Sequence, residues 1–201
     1  SPTTKVDSTT TISDTTKTIT GLTNGTTYYY NISAVDSAGN ESGKTNDVSA
    51  VPGQYSASQF TVPQNDPGVT VGTLEITDSG TITDLEVEVT YDVTTTSSNS
   101  LEFHSFSLLS PGGTTVTLAQ GSNIVSGGID GSTLYATVFD DEASGGIHSG
   151  TSPYLGSYQP VGSLSAIDGE SITGTWTLVV NNTSNYSGTV DWNLFVNGYW
   201  Y

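Results

Sequence analysis

Residues 82–93 read Ile82-Thr83-Asp84-Leu85-Glu86-Val87-Glu88-Val89-Thr90-Tyr91-Asp92-Val93. Leu85, Val87, Val89, Tyr91 and Val93 alternate with Asp84, Glu86, Glu88, Thr90 and Asp92. Side chains on an extended chain alternate between two faces, so this pattern predicts a strand with one apolar face and four carboxylates on the other. The same period recurs in Trp176, Leu178 and Val180, and again in Trp192, Leu194 and Val196. Leu101 to Leu109 is also strand-like, but its alternation slips near Ser105, which predicts a bulge there.

No stretch carries helical periodicity. Turn dipeptides punctuate the chain instead: Asn24-Gly25, Gly39-Asn40, Gly112-Gly113, Gly127-Gly128, Asp130-Gly131, Gly145-Gly146 and Asp168-Gly169. Short runs rich in Val, Ile, Thr and aromatic residues lie between them. The expectation is an all-β, antiparallel sandwich or barrel.

Charge narrows the function. The 201 residues hold 20 Asp plus Glu against 3 Lys, for a formal net charge of −17. Lys5, Lys17 and Lys44 are the only basic residues apart from two histidines, so nothing cationic except His follows position 44. Phosphate recognition needs clustered Lys and Arg, which excludes nucleic acid as a partner. A basic patch for an anionic membrane is missing too, and no apolar run is long enough for insertion. The absence of Cys removes thiol catalysis and Cys-ligated zinc. A Ser/Thr-rich chain with 11% charged residues and no Met at position 1 reads as an exported, extracellular β protein that was processed or cut from something longer.

Composition shifts near Val51-Pro52-Gly53, and all the Lys lie before it. The expected organisation is residues 1–52 as one β unit, 53–58 as a linker, and 59–201 as a second unit. Residues 94–100 read as an exposed low-complexity loop.

In the first unit, 18–22, 27–36 and 45–51 read as strands, with Tyr28, Tyr30, Ile32 and Ala34 on one face. Leu22, the Asn24-Gly25 turn and Tyr28 resemble the tyrosine corner of fibronectin type III domains, and the run to Asp36 resembles that family closely. The resemblance covers only the C-terminal half of such a domain. A half-sandwich leaves an apolar face and bare strand edges. Either the remaining strands were removed with another part of a longer chain, or another chain supplies them by strand donation.

The second unit resembles the P domain (Homo B) of proprotein convertases and of bacterial secreted proteases. The residues that carry this are Thr81 to Val89, Leu108-Leu109-Ser110-Pro111-Gly112-Gly113-Thr114, Phe139-Asp140-Asp141-Glu142-Ala143, Pro153 to Pro160, Leu164 to Gly169, Gly174-Thr175-Trp176, and Gly188 to Leu194. The resemblance implies an eight-stranded jelly roll that sits beside a protease domain, supports its folding, stability or targeting, and has no catalytic residues of its own.

The local chemistry centres on Asp140-Asp141-Glu142. Adjacent carboxylates without a nearby cation repel, and calcium, which takes six to eight oxygen ligands, would relieve that. Backbone carbonyls of the Gly-rich 144–150 segment are available as well, and Asp66, Asp84, Asp92 and Asp168 are further candidate ligands. The alternative is a solvated acidic turn held by its own hydrogen bonds. His104 and His148 have no motif partner, and no Gly-x-Ser-x-Gly elbow or HExxH helix occurs, so no catalytic residue is expected. Tyr154, Tyr158, Tyr186 and the Tyr199-Trp200-Tyr201 end could stack on carbohydrate or pack at strand ends and seams. Two functional expectations follow. One is a non-catalytic, calcium-binding accessory module of a secreted multidomain protein, a protease by the resemblance above, partnered by its catalytic domain. The other is a subunit of an extracellular filament or adhesin that self-assembles with like subunits through the incomplete N-terminal sandwich.

Overall fold

A computed structural model describes residues 26–50, 53–64, 66–93 and 100–196. Residues 26–50 form a hairpin of β1 (Tyr28–Tyr30) and β2 (Val48–Ala50), paired antiparallel. Its tip is tied by Asp36, whose carboxylate accepts the backbone N–H groups of Ala38 and Asn40 and the Asn40 side-chain amide. Those bonds, chiefly the ones from Asn40, hold its carboxyl below the usual range. Tyr29, Ile32, Val35 and Val48 are exposed, so nothing among the described residues covers this hairpin. Leu22, the Asn24-Gly25 turn and the strand expected at 18–22 lie outside the described residues, as do 94–99 and Tyr199-Trp200-Tyr201.

The rest of the described chain is built from β3 (Gln54–Ser56), β4 (Phe60–Val62), β5 (Gly68–Ile76), β6 (Leu85–Val93), β7 (His104–Leu109), β8 (Thr115–Gln120), β9 (Leu134–Phe139), β10 (Gly156–Tyr158), β11 (Gly174–Asn182) and β12 (Gly188–Val196). One sheet runs β10-β9-β6-β12-β3, with β4 also on β12; the other runs β5-β11-β7-β8. Counted as one broken edge strand, β3 and β4 leave eight principal strands, with the short β10 apart. Their chain order is then 1-8-3-6 in one sheet and 2-7-4-5 in the other, which is jelly-roll connectivity.

The alternating residues build the core as their period requires. Val87, Val89 and Tyr91 of β6, Trp176, Leu178 and Val180 of β11, and Trp192, Leu194 and Val196 of β12 belong to one buried cluster between the sheets. The Trp176 indole N–H donates to the Ile172 carbonyl at 2.9 Å.

Two expectations change. Residues 53–58 are not a free linker. Gln54–Ser56 pair with Asn193–Phe195, the Ala57 N–H donates to the Trp192 carbonyl, and Tyr55 Oη donates to Asp78. The outer side of β12 needs backbone partners, and this short polar stretch supplies them. The break in alternation at 101–109 has a different cause from a bulge at Ser105. Leu101–Phe103 form a 3₁₀ turn and the strand begins at His104, while the register shift lies between Phe106 and Ser107 against Ala119 and Thr117. The unmatched residue is therefore Leu118 of β8.

His104 is wholly buried. Its Nδ1 lies 2.7 Å from the Ser100 carbonyl and its Nε2 lies 3.1 Å from Tyr91 Oη. A carbonyl only accepts, so Nδ1 carries the proton and the tyrosine hydroxyl donates to Nε2. Burial holds the imidazole below its ordinary pKa and raises that of the Tyr91 hydroxyl. Tyr91→Phe orphans Nε2 inside the core, and we expect a loss of about 1–3 kcal/mol in urea unfolding at neutral pH. An unchanged denaturation midpoint would show that the pair carries no stability.

Candidate functional site

The β6·β9 ladder pairs Val87 with Phe139. Continued by one residue, that register sets Glu86 opposite Asp140; continued by three, it sets Asp84 opposite Glu142. On its other side Glu86 is paired with Phe195 of β12. The 3₁₀ turn Leu164–Ile167 lies against β6. Glu86, expected on the solvent face, is consequently only 3% exposed. Its Oε2 and the Trp192 indole nitrogen are the buried side-chain polar atoms without a hydrogen-bond partner among the described residues.

The electrostatics follow from this crowding. Burial, then the charges of Asp84, Asp140 and Glu142, push the Glu86 carboxyl up to about 8. Asp84 is raised by burial and by Asp140, Asp168 and Asp141. Glu142 is raised first by its hydrogen bond with Asp140, then by burial and by Asp84. Burial and the charge of Asp141 raise Asp168. Thr83, Asp84, Asp141, Glu142, Ser165 and Asp168 border a cleft of about 30 Å³, room for one ion or one water.

Five of the seven expected ligands therefore gather at one end of the sandwich. Among them Asp141 is already committed. Its carboxylate accepts Ser163 Oγ at 2.6 Å, the Leu164 N–H at 3.0 Å and the Ser165 N–H at 2.9 Å, so it caps the 164–167 turn. Burial pulls its pKa upward, but those hydrogen bonds together outweigh it and hold the carboxyl low. Asp140 Oδ1 accepts the Glu142 N–H at 2.7 Å. The self-bonded acidic turn weighed above is thus real for Asp141 and for half of Asp140.

Asp92 and Asp66 do not join the cluster. Eight positions of extended chain, roughly 27 Å, separate Asp84 from Asp92. Val93 and Val62 both pair with Gly188, which puts Asp92 and the loop carrying Asp66 at the opposite end, where both are exposed. No three acidic or imidazole side chains among the described residues already surround one point closely enough to hold a metal.

His104 has both nitrogens engaged in the core, and His148 is exposed on the Ile147–Ser149 turn. A larger cavity of about 240 Å³ is bordered by Asp130, Gly131, Gly150, Thr151, Ser152 and Tyr154. Tyr154 is buried and packs edge-on to Tyr158 at 6.2 Å, so this pair is not an open stacking platform for a sugar.

Neither a scan of known protein families nor a search of curated proteins returns a match. Among solved structures, the serine protease of Aeromonas sobria is similar at 14% identity and a TM-score of 0.41, over 84% of this chain and 36% of that one. The complex of that serine protease and its chaperone is similar at 13% identity and a TM-score of 0.40, over 85% of this chain and 36% of that one. The chain thus spans about a third of the length of these structures. No described helix is long and apolar enough to cross a membrane.

Because the folded pKa of Glu86 exceeds the ordinary carboxylate value, the folded state holds more protons between about 4.5 and 8. Its share of stability is complete below that window and is lost as pH rises through 8. In chelator-treated protein, Glu86→Gln should raise the melting temperature at pH 8.5 by a few degrees and change it little at pH 4.5. An equal shift at both pH values would contradict the assignment.

Proposed function

We propose that the jelly roll is a non-catalytic accessory module of a secreted multidomain protein, a protease, and that a calcium ion held at its acidic end stabilises it. The protease setting rests on the P-domain motifs, and the jelly-roll connectivity agrees with what those motifs imply. The non-catalytic role is supported by the burial of His104, both of whose ring nitrogens are engaged in the core. The observation that carries the cation is the buried, unpartnered Oε2 of Glu86 beside Asp84, Asp140 and Glu142, in a stretch with no Lys or Arg.

The donors fit a hard cation, since all are carboxylate oxygens. Glu86 and the Asp140 carboxylate would hold the ion, Asp140 giving up its side-chain bond with Glu142. Glu142 and Asp84, from the rim, would have to turn inward to complete the shell. Asp168 stands at the outer margin, and Asp141 orients the turn without ligating. The charge of the ion would offset the repulsion that helps to raise Glu86, Asp84 and Glu142.

An extracellular module of this kind binds with a Kd of ~10⁻⁴ to 10⁻³ M. Calcium at ten to a hundred times Kd then adds about 1.4–2.7 kcal/mol. We expect calcium to raise the melting temperature and EDTA to reverse it. Asp140→Asn and Glu86→Gln should abolish the increment, while Asp66→Asn and Asp92→Asn keep it. Asp141→Asn should lower stability equally with and without calcium. A melting temperature indifferent to calcium and EDTA would remove the metal from this reading.

A second reading, a subunit of an extracellular filament or adhesin assembled by strand donation, is favoured by one feature. The 26–50 hairpin leaves Ile32 69% and Val48 66% exposed, as an uncompleted sandwich would. If that surface recruits strands from like subunits, Ile32→Lys with Val48→Lys in the full chain disperses the multimers seen by light scattering. Multimers that persist in the double variant would exclude the hairpin as their joint.

A further inference from the structure

A sheet edge is a row of outward-facing backbone donors and acceptors, and folded proteins blunt such edges. Three of the four edges of this sandwich are blunted. Beside β8, the Val161 N–H bonds to the Leu118 carbonyl and the Gly162 N–H to the Thr117 carbonyl. Strand β10 has three residues and is backed by bonds between Gln159 and the 145–147 segment. The edge beyond β12 is broken into β3 and β4, three residues each.

Strand β5 differs. Its nine residues run in unbroken register along β11, from Ile76 opposite Gly174 to Gly68 opposite Asn182. It contains no Pro, no Lys and no bulge, and among the described residues its only strand partner is β11. Val69 is 66% exposed, and Val71, Thr73 and Glu75 are exposed beside it on the outer face.

We propose that β5 is a strand-pairing edge whose partner is β5 of a second copy of this chain, antiparallel about a two-fold axis at Gly72. That axis uses all nine residues and makes the contact self-complementary. It sets Val71 opposite Thr73 of the other copy, and Val69 opposite Glu75. β-Branched residues then face β-branched residues, a favourable cross-strand pairing. Glu75, the single acid of the strand, faces valine rather than its own counterpart. This matters because each copy carries a net charge of −17 and the contact must form without opposing carboxylates. Gly72 suits the axis, because the Phe60 ring fills the space that a Cβ would take on the inner face. The pairing depends neither on the cation nor on the accessory role.

Sedimentation velocity of the full chain across a wide concentration range tests it. The expected result is a monomer–dimer equilibrium in which hydrogen exchange of residues 68–76 slows as concentration rises. Val71→Glu places a carboxylate diagonal to Glu75 of the other copy and to its own counterpart, and should weaken the dimer at least about tenfold. Val71→Lys places an ammonium diagonal to Glu75 of the other copy as well as to its own counterpart, and should weaken the dimer clearly less than Val71→Glu does. Position 71 is exposed, so both variants should keep the parental melting temperature. If Val71→Glu fails to fold, exchange at 68–76 and the Val71→Lys result carry the test. A monomer at every concentration, or a dimer indifferent to the sign of the charge at 71, would overturn the proposal.

Discussion

The pairing of β6 with β9 is the constraint from which the rest follows. Hydrophobic alternation fixes which residues of β6 face the core, and one register of β9 satisfies it by setting Val87 against Phe139. The same register stacks Glu86 on Asp140. A slip of one residue would separate these carboxylates but turn Val87, Val89 and Tyr91 out to solvent. Burial of large apolar side chains, at about 1.5–3 kcal/mol each, outweighs the cost of crowding a few carboxylates at the end of a ladder. The acidic cluster is therefore a consequence of core formation rather than an independent feature of the loops.

Such crowding ordinarily ends in an ion pair. Here the stretch that carries the cluster supplies no partner of its own, because no Lys or Arg follows Lys44. A carboxylate in this position has two remaining ways to shed its charge: it takes up a proton or it binds a metal. The proton has a cost that grows with pH, since Glu86 releases it near 8. A divalent ion removes that cost over the whole range in which the carboxylates are ionised.

Much of this was legible in the residues. Alternation at Leu85–Val93, Gly174–Val180 and Gly188–Val196 marks the central strands and their inward faces. The Asp140-Asp141-Glu142 triplet lies at one end of the sandwich, and Asp84 and Asp168 lie there with it. Glu86 was missed because alternation assigns it to the outer face and cannot show that Phe195 and the 164–167 turn cover that face. The role of Asp141 depends on Ser163 and Ser165, more than twenty residues away, a contact no local pattern encodes. Asp92 resembles Asp84 in composition and spacing, yet the length of one strand puts it at the wrong end. The 53–58 stretch reads as a linker because most of its side chains are small or polar; it contributes backbone hydrogen bonding to β12 and the packing of Tyr55 on the core, which composition does not report.

A crystal grown at pH 8 from calcium-containing solution, with anomalous scattering from the ion, addresses the central claim most directly. The account predicts a peak within bonding distance of Glu86 Oε2 and the Asp140 carboxylate, with Glu142 or Asp84 turned inward. Glu86 bonded to a neighbouring carboxyl through a shared proton, with no peak at the cluster, would contradict it.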